Sequence, residues 1–239
     1  AVLPRIAERA TRYDVEAAWP VEDLAELNDA GAMRWAIGRA YGGDDVDAET
    51  LHGHYELVAS ASLATALLIS QRDAAVGYIE SSANESLKER LLPRLAQNLL
   101  WTTIGISHLT TSQHSGALRA SATGDGGFTL DGTIPWATGG TRANFIVAGA
   151  RTDDDKQLLF VLPTHHAGVT VNPPQRLATL AAAPTSSISC EDVRIDSDLI
   201  LAGPSDKALG GRSRSLPLGQ TFAAFGLARA ALQLSLIHI

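Results

Sequence analysis

Residues 87–108 read LKERLLPRLAQNLLWTTIGISH, and the fold class turns on them. In the first half Leu87, Leu91 and Leu95 recur at the spacing that places side chains on one helix face; from about residue 101 the period falls to 2, the repeat of a strand. The chain passes here from helical to extended structure. Upstream, Pro20 and the acidic VEDLAEL open a helix that Gly31 can close, with carboxylates at the positive end of the helix dipole. The stretch DAETLHGHYELVASASLATALLISQ reads as one amphipathic helix with Asp47 as its N-cap and small Ala and Ser residues for close packing. Asn84 caps the helix ESLKERLLPRLAQ, which Pro93 is expected to kink or interrupt.

Downstream come eight short runs: WTTIGISH, LRASATG, FTLDGTIPW, NFIVAGAR, QLLFVLP, GVTVNP, TSSISCEDVRI and DLILAG. Turns such as GDGG, GGTRA, RTDDDK and HHAG separate them, the pattern of a β-barrel or sandwich. From about Leu216 the stretch LPLGQTFAAFGLARAALQL returns to helix, with Gly219, Ala223 and Gly226 near one face. The expected class is α+β multidomain: an N-terminal all-helical domain at 1–100, a middle β-barrel or sandwich domain at 101–203, and at 216–239 the first helix of a truncated C-terminal helical domain. The closing AALQLSLIHI stops inside an apolar helical pattern without a Gly, Asn or basic cap, which reads as truncation. Its SLIHI end resembles translated adapter sequence, so His238 is given no role.

Composition excludes several function classes. A formal charge of −7 with 19 Lys and Arg in 239 residues does not suit nucleic acid, although a few arginines or a helix N-terminus can still hold a small anion. Cys190 is the single cysteine, so no internal disulfide forms, and with no signal peptide apparent an intracellular, cytoplasmic setting is expected. The apolar run ASASLATALLIS is too short and too rich in Ser and Thr to cross a membrane. Neither GDGG nor GGTRA opens a helix in a βαβ unit, which rules out a Rossmann dinucleotide site. No metal site is expected: His165 and His166 are adjacent in a turn, and His52 and His54 lie two apart on a helix start, both poor spacings for shared coordination. Cys190, alternating with Ile188, reads as a buried structural thiol.

Several segments, in order, carry a resemblance: LAELNDAGAMRWAIGRAYGG, LKERLLPRLAQ, ISHLTTSQHSG, DGTIPWATGG, ANFIVAGAR and GLARAAL. Together they resemble the acyl-CoA dehydrogenase family in its helical domain, its β domain and the first helix of its C-terminal bundle. The resemblance implies an FAD-dependent oxidoreductase that removes hydrogen α,β to an acyl-CoA thioester, with flavin as hydride acceptor. It implies that Trp136 and Thr138 lie against the flavin ring, the Thr close to the hydride-accepting nitrogen, and that Ile106 and Ser107 face the pyrimidine edge. A flat, apolar-faced ring with a polar rim needs such an aromatic and such hydroxyls.

The loop 108–116 departs from the family pattern. His108 and Leu109 replace its acid and proline, and either Ser112 or Ser115 answers to its phosphate-contacting serine; Ser112, Gln113 and Ser115 are the substrate-binding candidates. His108 and His114 bracket this loop and could donate to a phosphate or oxyanion. Ile134 stands where the family has a lysine. The catalytic glutamate belongs to the family's C-terminal bundle, so no catalytic residue is assigned within these 239. An electron-acceptor flavoprotein and assembly into a homo-oligomer are further implications. Two alternatives stand: a flavin-dependent monooxygenase on the same scaffold, and a flavin-free binding or assembly protein.

Overall fold

Side-chain caps set three of the helix starts in the first half of the chain. Asp47 accepts from the Thr50 backbone N–H at 2.9 Å and starts α3 (Ala48–Ala61), while Asn84 accepts from that of Leu87 at 3.1 Å and starts α5 (Glu85–Ala96). The third cap was not expected. Ser62 adopts an extended backbone, ends α3 and caps α4 (Leu63–Glu80) through its hydroxyl, so the single helix expected over 47–71 is two. Its hydroxyl offers the backbone an alternative partner, as serine does wherever a helix can be broken. Pro93 does not interrupt α5, which continues to Ala96; it lies in the last turn, where it forfeits a single backbone bond.

Helices α1 (Leu3–Val15) and α2 (Val21–Asp29) pack with α3 and α4 around Ile6, Leu27, Met33, Leu51, Tyr55 and Leu68. The computed structural model describes residues 2–110, 117–210 and 219–237. Helix α4 is buried on nearly every side, consistent with a largely apolar sequence in which Arg72, Asp73 and Glu80 are the charged residues. Helix α6 (Gly219–Ile237) lies against α3: Phe222 stacks on His52 with ring centroids 4.9 Å apart, and Arg229 pairs with Glu56 at 3.1 Å. A Cβ on Gly226 would overlap the Glu56 carbonyl oxygen, so glycine there sets the closeness of the two helices.

All eight expected strands form: β1 (Thr102–Gly105), β2 (Arg119–Ala122), β3 (Phe128–Thr138), β4 (Phe145–Thr152), β5 (Gln157–Pro163), β6 (Val169–Val171), β7 (Thr185–Ile195) and β8 (Ile200–Ser205). They make one sheet in the order β6-β7-β3-β2-β4-β5-β8, with β1 pairing parallel to β4. One face of it, from Ile188 and Cys190 on β7 to Leu158, Phe160 and Leu162 on β5, encloses a single cluster, so the sheet coils around its own core. The apolar run on β4 is explained by burial on both faces: Ile146, Ala148 and Ala150 enter that cluster, while Phe145 and Val147 pack against Ile79, Leu87 and Leu92 of the helices. On β5, Leu159 and Val161 do the same. Among the described residues no helix is long and apolar enough to cross a membrane.

Candidate functional site

The last residues of β3 decide where Trp136 points. Along most of the strand the buried residues are Phe128, Leu130 and Ile134, and strict alternation would carry Trp136 and Thr138 inward with them. The register prevents this. Ile134 pairs with Ile188 and Ala137 with Ser186, so Pro135 and Trp136 together oppose only Ser187, a β-bulge. Proline, which has no N–H for the ladder, is at home there. Beyond the bulge the inward position passes to Ala137, which is buried, and Trp136 and Thr138 turn outward on one side. Trp136 is left 46% exposed, unusual for an indole on a central strand.

Thr138 is held from both flanks. Its carbonyl accepts from the Thr103 hydroxyl of β1 at 2.6 Å, and its Oγ1 lies 3.0 Å from Oγ1 of Thr185, its cross-strand partner on β7. The Thr185 hydroxyl also reaches the Ala183 carbonyl at 3.2 Å. Gly139 then takes a left-handed turn, φ 76°, packed under Leu68, Trp101 and Trp19, and its N–H donates to the Pro184 carbonyl at 2.7 Å. Beside this end of the sheet a cleft of about 290 Å³ runs along Gln175, Arg176, Leu177, Leu180 and Pro184. Gln175 Nε2 donates to the Pro135 carbonyl at 3.4 Å, joining the cleft wall to the bulge. The surface is an exposed indole with the half-buried Thr138 two residues on and Gln175 bonded to the bulge, and Arg176 lines the neighbouring cleft.

Ile106 and Ser107 were expected on a strand but lie just after one. β1 ends at Gly105, and Ser107–Leu109 form a 3-10 turn that lies beside β3. Gly105 ends the strand against Ile134, where a Cβ would crowd the Ile134 methyl. Ile106 is half-buried and Ser107 exposed, with its carbonyl accepting from Thr110. His108 points the other way: it is buried, with Nε2 2.8 Å from the Gly149 carbonyl of β4, a contact that fastens the turn to the sheet. Ser112, Gln113, His114 and Ser115 lie outside the described residues, as does His238. Cys190 is buried, and burial, with the nearby Asp131 charge, pushes its thiol up to about 12. Thr185, Thr103 and Gln175 escaped the sequence reading, since their partners are 47, 35 and 40 residues away along the chain.

The order of helices followed by a coiled sheet is a fold shared with solved structures. Butyryl-CoA dehydrogenase from Megasphaera elsdenii superposes with a TM-score of 0.82 at 24% identity, covering 96% of this chain and 63% of that one. The family model for the acyl-CoA dehydrogenase N-terminal domain matches residues 2–98. Among curated proteins, the probable acyl-CoA dehydrogenase FadE25 of Mycobacterium tuberculosis is 27% identical over 204 residues, 83% of this chain and 52% of that protein. Dibenzothiophene monooxygenase of Rhodococcus erythropolis is 26% identical over 185 residues, 75% of this chain and 44% of that protein. Residues 2–98 thus match that family's N-terminal domain, and the chain as a whole is similar to acyl-CoA dehydrogenase family members. It spans about half the length of the curated relatives it matches.

Proposed function

We propose that the outward face of Trp136 and Thr138, continued by Ile106 and Ser107, holds a flavin ring, and that the protein is an FAD-dependent oxidoreductase acting on an acyl-CoA thioester. The observation that carries this reading is the bulge at Pro135 and Trp136, which turns a large aromatic out of the core and leaves its face open. A flat ring stacked there covers apolar surface, and the Thr138 hydroxyl on the same side meets the ring edge. The residues fit the group in shape and polarity. Bound flavin supplies the hydride-accepting chemistry. The chain's own part is to orient the ring through the indole, fix its edge by hydroxyls held on β1, β3 and β7, and keep water from the buried side through Ala137 and Ile134. Ser112, Gln113 and Ser115 remain the proposed substrate contacts, an electron-acceptor flavoprotein the proposed partner, and homo-oligomerisation the proposed state of the complete protein.

Trp136→Ala tests it. Because the indole is half-open, the melting temperature stays within error of the parent, whereas flavin affinity, read by flavin fluorescence quenching, falls by about tenfold, or about 1.4 kcal/mol. Equal affinity in parent and variant removes the reading. The monooxygenase reading is favoured by the relation to dibenzothiophene monooxygenase. Anaerobic bleaching of bound flavin by an acyl-CoA supports dehydrogenation, whereas oxygen uptake with externally reduced flavin supports monooxygenation.

A further inference from the structure

We infer that the cleft beside the bulge is a binding site for a small amphipathic anion, an apolar body carrying one carboxylate. Its walls come from two places in the chain: segment 172–184, which joins β6 to β7, and the turn between α1 and α2, which contributes Ala17. Pro174, Leu177, Leu180 and Pro184 form most of the apolar wall. The walls are fixed before any ligand arrives. The Gln175 N–H donates to the Thr185 carbonyl at 2.8 Å, the Ala183 N–H to the Leu180 carbonyl at 2.9 Å, and the Ala182 N–H to Asp14 Oδ1 at 3.3 Å, which ties the segment to the end of α1. The two prolines, set in φ, stiffen it further. Leu180 takes a left-handed φ of 60°, rare for a bulky residue, and is kept there with its side chain half-buried.

Apolar walls with a few polar groups are the usual make-up of a small-molecule site, and about 290 Å³ stands near the lower size limit of such sites. Arg176 is the one charged residue among those lining the cleft. It is exposed, and among the described residues its guanidinium has neither an ion-pair nor a hydrogen-bond partner. The other polar residue of the wall, Gln175, already donates to the Pro135 carbonyl. A free cation at the edge of an apolar recess selects a ligand with an anion at one end, and the planar guanidinium matches a carboxylate with two parallel hydrogen bonds. At about 30 Å³ for each non-hydrogen atom, the share of a water molecule in the liquid, the space admits about ten such atoms. Neither a flavin nor an acyl-CoA is of that size, so this site is separate from the face of Trp136 and independent of what that face holds.

The experiment is a titration of the 239-residue chain with phenylacetate, a carboxylate of this size, and with its neutral isostere phenylacetamide, followed by amide proton and nitrogen chemical shifts. Saturating shifts are expected at Ala17 and within 174–184, with a Kd of about 1–10 mM, the range open to about ten atoms at ordinary ligand efficiency. Phenylacetamide is expected to bind about threefold more weakly, the worth of an exposed ion pair. Arg176→Gln brings the two ligands to equal affinity. Leu177→Ser, at a position 38% exposed and so of little consequence for folding, weakens both by the same factor. Shifts that fail to saturate or scatter over the surface overturn the inference. So do phenylacetamide binding as tightly as phenylacetate, a preference that Arg176→Gln leaves intact, and parent affinity in Leu177→Ser. None of these outcomes bears on the flavin reading.

Discussion

Arg72 and Asp73, neighbours on α4, have no solvent exposure, and their removal separates two ways of thinking about a buried ion pair. Arg72 Nη1 donates to Asp73 Oδ1 at 2.7 Å, and Nη2 donates to the Met33 and Leu95 carbonyls at 2.8 and 2.9 Å. The Tyr55 hydroxyl donates to Asp73 Oδ2 at 2.8 Å, so four segments meet at one charge pair. Asp73→Ala strands a guanidinium in the interior, a change that costs about 3–5 kcal/mol. Arg72→Met deprives the Met33 carbonyl of its donor at about 1–3 kcal/mol, the Leu95 carbonyl still accepting from the Asn98 N–H, while the remaining carboxyl, which burial already drives toward its neutral form, can take a proton. The double variant leaves the Met33 carbonyl and the Tyr55 hydroxyl without partners, about 2–6 kcal/mol together, and no charge to desolvate. Summed independently the two single changes would consume most of a typical domain's stability of about 5–15 kcal/mol. Urea unfolding followed by circular dichroism reads all three variants. The expected result is a double variant about as stable as Asp73→Ala, with a coupling of about 2 kcal/mol. Strictly additive losses would refute the reasoning.

Two further outcomes follow from the helices. Burial lowers the His54 pKa, against a smaller opposing pull from Asp47, and the ring stacks on Trp35 with centroids 4.2 Å apart. The unfolded chain then binds the extra proton first. The contribution of His54 is complete above about pH 6.5, its ordinary value, and is lost as pH falls through the lower folded value; His54→Phe should flatten this part of a stability profile measured by urea midpoints, and an unchanged slope would contradict it. Gly226→Ala drives a methyl into the Glu56 carbonyl and should cost about 1–3 kcal/mol. Hydrogen exchange should show α6 and the facing side of α3 losing protection while the strands keep theirs.

The order of helices and strands was legible because each element obeys its own period. Asp47 and Asn84 could be named as caps, since a polar residue before an apolar helical run has a local meaning. Ser62 could not be told from its neighbours: ASASLATA suits a helix on either side, and only the packing of α3 against α6 and of α4 against β1 shows why the axis must change there. Trp136 and Thr138 could be singled out, and the strand geometry turns both to one side. The reason lay in Pro135, whose presence inside a strand pattern already signals a bulge. Thr185 was beyond reach, because its meaning comes from a hydroxyl on another strand and nothing in TSSISC distinguishes one threonine from the serines beside it. The turn at Ser107–Leu109 was hidden for a similar reason, since WTTIGISH alternates well enough to be a strand to its end.

Strands β4 and β5 form a common wall between the helical core and the core of the sheet, and this bears on what counts as a domain here. A cut between residues 100 and 101 looks natural on paper, where one repeat gives way to another. Made in the protein, it would strip Phe145, Val147, Leu159 and Val161 of their helical partners and Leu87, Leu91 and Leu92 of theirs, exposing an oily surface on each piece. The boundary that the change of repeat draws along the chain is therefore crossed in space by a shared apolar wall.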